Sequence, residues 1–173
     1  MGDDDLTAFY RDHYTRFFRF AWRLVSSEDK AADLVHEALT RSLPKLLPPG
    51  GAVGVPPEMW CNYLFRVIHN LAVNLMTRTR EDAAGLTGED LAGVGERTAR
   101  DHAESVSGGV DVRRCLQALT VQERAAFVLA AFEGFVVREI AELLELSDDA
   151  AFRRVKSAER KLKLCLQLDG NVA

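Results

Sequence analysis

Arg66, Asn70, Asn74 and Arg78 stand four residues apart, so on a helix they form one polar stripe. An Asn amide carries a donor and an acceptor side by side, which suits the edge of a nucleobase, while Arg fixes phosphates. Just upstream, Trp60 and Tyr63 are flat faces on which unpaired bases could stack, each stack worth about 1–3 kcal/mol. Nearer the C-terminus, Arg153, Lys156, Arg160 and Lys163 repeat along another helical face. Bond-making chemistry is not in view. His13, His36, His69 and His102 are scattered, and no HExxH, nucleophile elbow, GxxxxGK(S/T) or GxGxxG occurs. Cys61, Cys115 and Cys165 are odd in number and far apart, which suits neither a disulfide framework nor a CxxC-type zinc site, so three reduced structural thiols are expected. No catalytic residue, cofactor or metal is expected: these are the residues of a binding protein, not an enzyme.

The elements that must position these groups read as helices throughout. Leu6, Phe9/Tyr10, Tyr14, Phe17, Ala21 and Leu24/Val25 recur at spacings of three and four, which gives one amphipathic helix. Ser26-Ser27-Glu28-Asp29 supplies capping residues and first-turn acids for a second, with Ala31, Leu34/Val35, Ala38/Leu39 and Leu43 inward. Pro44 and the run Pro48-Pro49-Gly50-Gly51…Pro56-Pro57 are expected to end it in an irregular loop. A third helix from near Glu58 to about Arg80 carries the Arg66–Arg78 stripe opposite Leu64, Val67/Ile68, Leu71 and Leu75. No segment alternates with period two for long enough to suggest a strand.

Charge divides the chain. The net charge of the 173 residues is −4, yet residues 6–80 sum to +4, residues 81–111 to −6 and residues 112–164 to +2. Two mildly basic blocks thus flank an acidic middle, and local charge is what a phosphate backbone meets. The middle, rich in Gly, Ser, Thr, Ala and acids, reads as a flexible linker with a short helical turn around Glu96–Glu104. The expected organisation is all-α: a helical domain over residues 1–80, an acidic linker over 81–111 and a second helical domain over 112–168. No run approaches the roughly 18 uncharged apolar residues of a membrane span. The acidic start, Met1-Gly2-Asp3-Asp4-Asp5, is the reverse of a secretory leader, so a cytoplasmic protein without membrane insertion is expected.

The C-terminal block opens on Thr120-Val121-Gln122-Glu123, a capping box, before a helix with Phe127/Val128, Ala131 and Phe132 that Gly134 closes. Arg138 to Ala151 then reads as a helix-turn-helix. Small Ala141 lets two helices approach, and a three-residue turn redirects the chain. Ser147 caps the last helix, with Asp148 and Asp149 at the positive end of its dipole. Ala151, Val155, Ala158, Leu162 and Cys165 form its apolar stripe. Glu145 stands where such turns usually place Gly because φ is positive there, at a cost of about 1 kcal/mol.

Three blocks together resemble a known family. Asp33-Leu34-Val35-His36-Glu37 resembles the "DLVQE" of sigma region 2. Trp60-Cys61-Asn62-Tyr63-Leu64-Phe65-Arg66-Val67-Ile68-His69-Asn70-Leu71-Ala72 resembles "FRAWLFRIARNLA", and Leu119-Thr120…Glu123-Arg124…Glu133-Gly134-Phe135…Glu139-Ile140-Ala141 resembles region 4. Their order and separation, across nearly the whole chain, are similar to bacterial RNA polymerase sigma factors of the extracytoplasmic-function (ECF) group. The resemblance implies a sigma region 2 helical bundle and a region 4 helix-turn-helix. The partners implied are core RNA polymerase (β′ clamp helices and β flap) and promoter DNA, and the role is promoter-specific transcription initiation.

Residue by residue, it implies that Asp33, Leu34, His36 and Glu37 dock on the polymerase. Trp60, Arg66, Asn70, Asn74, Arg78 and Arg80 would handle the −10 element. Arg138, Phe152, Arg153, Arg154, Lys156, Ser157 and Arg160 would face the −35 element. Many relatives have a dedicated anti-sigma inhibitor, although no residue here specifies one. Where the family commonly has "GTVKSR", this chain has Asp149-Ala150-Ala151-Phe152-Arg153-Arg154, so Phe152 replaces a usual cation. That departure leaves an alternative, a degenerate sigma-like regulator or decoy that binds polymerase or an anti-sigma partner without productive promoter recognition. A stand-alone helix-turn-helix repressor would leave the Asp33–Glu37 block unexplained.

Overall fold

The computed structural model describes residues 3–48, 54–85 and 112–170, with side chains over 6–48, 54–79 and 112–167. Every regular element among them is a helix. Helix α1 (Asp3–Val25) ends at Ser26, which adopts φ 56 and returns its N–H to Trp22 O. Ser27 then caps α2 (Glu28–Leu46), its hydroxyl accepting from Lys30 N. Pro44 does not end this helix, contrary to the sequence expectation. A proline so close to the end forfeits only the bond to Thr40 O, and the extra turn buries Leu46 against Leu6 and Trp60. Leu43, expected inward, is exposed.

The chain returns past Gly54, where a Cβ would stand 2.8 Å from Lys45 O, so only glycine permits that approach. A 3-10 turn (Pro57–Met59) leads into α3 (Trp60–Gly85). Helix α3 therefore runs five residues into the stretch read as linker. The remainder of that stretch, with the turn expected around Glu96–Glu104, lies outside the described residues.

Helices α1, α2 and α3 pack on one another around Phe17, Phe20 and Phe65, whose rings meet edge to face at 5.2 and 5.0 Å from Phe65. The C-terminal half contains α4 (Val112–Gln117), which periodicity did not single out, then α5 (Val121–Ala131), α6 (Val137–Leu144) and α7 (Asp148–Gly170). Both bonds of the Thr120–Glu123 capping box are present, at 3.2 Å from Glu123 N to Thr120 Oγ1 and 3.1 Å from Thr120 N to Glu123 Oε2. Helix α5 turns Ala125, Ala126, Val128 and Leu129 inward, while Ala131 and Phe132 face out. Gly134, at φ +76, completes the turn into α6.

The two halves share one hydrophobic core: Ala125, Leu129, Ile140 and Val155 belong to the same buried cluster as Phe17, Phe20 and Ile68. Phe135 meets Phe65 edge-on at 5.6 Å, and Arg16 lies over both rings while pairing with Glu133 at 2.6 Å. Glu133 is 6% exposed in its side chain and Arg16 38%, so the carboxylate is shielded while the guanidinium still meets solvent and salt.

Two arginines fasten the junction. Buried Arg124 donates to Leu24 O at the end of α1, and to Gln117 O and Leu119 O at 3.2 and 3.0 Å. Arg113 donates to Ser26 O at 2.8 Å and lies over the Trp22 ring. A helix C-terminus leaves carbonyls without intrahelical partners, and here the other half of the chain supplies the donors.

The cysteines overturn a further expectation. Cys115 and Cys165 form a disulfide between α4 and α7, with Cα atoms 5.7 Å apart, and only Cys61 is a free thiol. Their separation of 50 residues hides the pairing from a reading of local spacing. The helices bring them together because Leu116, Leu119, Ala158 and Leu162 cluster around them. Closing a loop of that size restricts the unfolded chain by about 4 kcal/mol on the chain-entropy account.

Arg124→Met should cost about 3 kcal/mol in urea unfolding, because it strands three carbonyls in a dry junction. Lys156→Met, on the surface, should cost under about 0.5 kcal/mol. Equal costs for the two substitutions would show that the Arg124 bonds contribute nothing.

Candidate nucleic-acid interface

The helix-turn-helix of α6 and α7 turns on Glu145, which adopts φ 55 and ψ 49, the left-handed conformation expected at that position. Leu146 N–H returns to Ala141 O at 2.8 Å, closing the end of α6. Ala141 is buried where the helices approach, and Ser147 Oγ accepts from Ala150 N at 3.2 Å to start α7. The inward stripe Ala151, Val155, Ala158 and Leu162 is buried, as its spacing requires.

That orientation turns Phe152, Arg153, Lys156 and Arg160 outward on one face. Phe152 is 50% exposed, with the Lys156 ammonium 5.8 Å from its ring. Arg153 Nε donates to Asp149 O, and Lys156 pairs with Glu159 at 2.8 Å. Arg138 is exposed on α6, where it pairs with Glu142 at 3.4 Å.

Two of the expected −35 residues point elsewhere. Half-buried Arg154 turns from that face and lies within electrostatic reach of buried His69 on α3. Ser157 donates to Glu123 Oε1 on α5 at 2.7 Å. The same carboxylate accepts from Lys161 at 2.7 Å and from Thr120. Burial alone would raise the Glu123 pKa, but the hydrogen bonds from Lys161, Ser157 and Thr120 outweigh it and bring the group down to about 2. Ser157 and Lys161 thus anchor α7 to α5.

On α3 the polar stripe is partly clear. Asn70, Asn74 and Arg78 are exposed, and Asn70 Oδ1 lies 3.2 Å from His69 Nδ1. Burial holds the His69 pKa below its ordinary value. Arg66, 37% exposed in its side chain, lies over Tyr63 and reaches Glu145 of the helix-turn-helix at 3.8 Å. Trp60, read as a base-stacking platform, is instead a core residue: it is 2% exposed, donates Nε1–H to Val55 O at 2.8 Å and meets Phe9 edge-on. The side chain of Arg80 lies outside the described residues.

On α2, Asp33, His36 and Glu37 are exposed, while Leu34, expected to dock with them, is 4% exposed and packs mainly in the core. Asp33 and Glu37 line a cavity of about 260 Å³ between α2 and α3, together with Asn74 and Arg78. The residues read as polymerase-docking and as DNA-binding therefore border one groove. Lys30 and Arg41 line it too. Sequence reasoning passed over them, although Arg41 continues the four-residue spacing of Asp33 and Glu37, and it pairs with Glu37 at 2.5 Å. Among the described residues no group of His, Cys, Asp and Glu could hold a metal ion, and no helix is long and apolar enough to cross a membrane.

Comparison with known proteins follows the same lines. Residues 110–162 match the family model Sigma-70, region 4, the segment that carries the helix-turn-helix. The ECF RNA polymerase sigma factor SigL of Mycobacterium tuberculosis (strain ATCC 25618 / H37Rv) is 26% identical over 165 residues, 94% of this chain and 89% of that protein. The ECF RNA polymerase sigma factor EcfG of Rhodopseudomonas palustris (strain TIE-1) is 28% identical over 156 residues, 87% of this chain and 79% of that protein. The crystal structure of the sigma factor RpoE from Bartonella quintana, in complex with the anti-sigma factor NepR, shares the fold with a TM-score of 0.70. Its identity is 22%, and the match covers 95% of this chain and 98% of that one. The matched segment carries the outward cationic face of α7 behind the left-handed turn at Glu145. The C-terminal segment is thus similar to Sigma-70, region 4, and the chain as a whole is similar to ECF RNA polymerase sigma factors.

The Glu123 cluster gives a pH dependence. Its folded pKa of about 2 lies below the ordinary value of 4.5, so its contribution is complete above the ordinary value and disappears as pH falls toward about 2. The stability advantage of the wild type over Glu123→Gln should be constant above pH 4.5 and shrink between there and about 2. Thermal midpoints across that range measure it, and a gap independent of pH would refute the assignment.

Proposed function

We propose that the chain is a non-catalytic specificity subunit that binds core RNA polymerase in the cytoplasm and directs promoter-specific initiation. The observation that carries this reading is the outward face of α7, where Phe152, Arg153, Lys156 and Arg160 stand free of the rest of the fold. Such a face fits the major groove, where Arg reads guanine and cations bind phosphates. It would take the −35 element, with Arg138 at its border. Asn70, Asn74 and Arg78 would take the −10 element, joined by Arg66 once its contact with Glu145 opens. Asp33, His36 and Glu37 would dock on the β′ clamp helices, and the C-terminal half on the β flap. The Bartonella quintana protein of the same fold is seen with an anti-sigma factor, and the same class of partner is proposed for this chain.

Transcription from a promoter library, with core polymerase added, tests the reading. Specific initiation is expected; polymerase binding without initiation at any promoter would favour the decoy. Arg153→Ala should reduce −35 discrimination by about 1–3 kcal/mol, measured as relative initiation on single-base variants. An equal loss on every sequence would make Arg153 a phosphate contact only. Glu37→Ala should weaken binding to core polymerase in a direct titration while leaving the helical fold intact; unchanged affinity would remove Glu37 from the docking face.

A further inference from the structure

The Cys115–Cys165 disulfide joins α4 to α7 and includes none of the residues named above as meeting DNA. Cys115 is fully buried on α4, whereas Cys165 on α7 is half-buried and lies beside Leu162 and Leu166, which line an open groove with Phe127. One cysteine is therefore shielded and the other is partly open to solvent. Helix α4 is only six residues long, too short to persist without its tertiary contacts, and its packing is against α7. It is also part of the junction between the halves. Arg113 on α4 donates to Ser26 O, and Gln117 O at its end accepts from Arg124, which also holds Leu24 O.

We propose that Cys115–Cys165 is a thiol–disulfide exchange site for a dithiol reductant, and that its reduction releases α4 and thereby loosens the seam between the halves. The cytoplasmic setting belongs to the function proposed above; there, disulfides are typically transient and redox-sensing. In the first step a dithiol thiolate attacks Cys165 Sγ, forms a mixed disulfide and expels the Cys115 thiolate. In the second, the other thiolate of the dithiol attacks its own sulfur in the mixed disulfide, closes the oxidised dithiol and expels the Cys165 thiolate. Two electrons pass from the dithiol to the cystine, and the two dithiol protons end on Cys115 and Cys165. The reverse exchange, with an oxidised dithiol, restores the staple. Reduction withdraws the covalent hold on α4, and with it the Arg113 donor to Ser26 O and the Gln117 acceptor of Arg124 lose their fixed positions.

The test uses the full chain, folded by circular dichroism, with dithiothreitol as the dithiol. Maleimide labelling and peptide mapping should find Cys115 and Cys165 newly labelled without unfolding, with Cys165 labelled no later than Cys115. Amide exchange over residues 22–26 and 112–119 should rise about tenfold or more on reduction, while the α2 amides stay unchanged. Cys115→Ala/Cys165→Ala should show the raised exchange without reductant. Arg113→Gln should raise exchange over 22–26 with the disulfide intact. A disulfide that yields only when the chain unfolds overturns the proposal, as does reduction with a smaller rise at either segment. Polymerase binding is scored separately, so failure of the sigma reading leaves these thiol and exchange results standing.

Discussion

At the end of α1 the chain turns away through Ser26, and the carbonyls of Leu24 and Ser26 have no helical partner to accept from. Arg124 and Arg113, about a hundred residues further along the chain, donate to them. Buried carbonyls without donors are costly, and a guanidinium can serve several at once because its five N–H groups fan out in a plane. Arg124 does so, joining the end of α1 to the end of α4 and the turn before α5. This fixes the angle at which α5 lies on α1, and Phe65, Phe135, Arg16 and Glu133 fill the space beneath.

That seam determines what each recognition surface can reach. It sets the helix-turn-helix against the N-terminal end of α3, so Arg66 is drawn to Glu145 and Arg154 comes within electrostatic reach of His69. It leaves Asn70, Asn74 and Arg78 open on one side and Phe152, Arg153, Lys156 and Arg160 on another. The surfaces proposed to meet DNA are thus mostly exposed while the halves share a core. Only Arg66 and the groove around Tyr63, Met59 and Glu142 depend on whether they remain together.

Much of this was legible because it is local. The Thr120–Glu123 capping box, the left-handed Glu145, the Ser147 cap and the α7 stripe each follow from residues within one or two turns. So does the all-helical class. What the sequence concealed is long-range. The Cys115–Cys165 bond spans 50 residues and the Arg16–Glu133 pair spans 117, and neither leaves a periodic trace. No local pattern marks Arg124 as buried; it is buried because its donors are needed across the seam. Trp60 reads as a stacking face on spacing alone, and only the fold of the loop around Val55 explains why its indole turns inward. Pro44 shows the converse: a local breaker overruled by the burial of Leu46 two residues later.

If the junction holds the halves in one core, they unfold together. Trp22 and Trp60 both lie in the N-terminal half, so their fluorescence reports α1–α3 during urea unfolding of the oxidised chain. Amide protection in α5 and α6 reports the other half. Coincident midpoints are expected for the two probes. Well-separated transitions, with the C-terminal helices exchanging freely while the tryptophans remain native, would contradict a shared core.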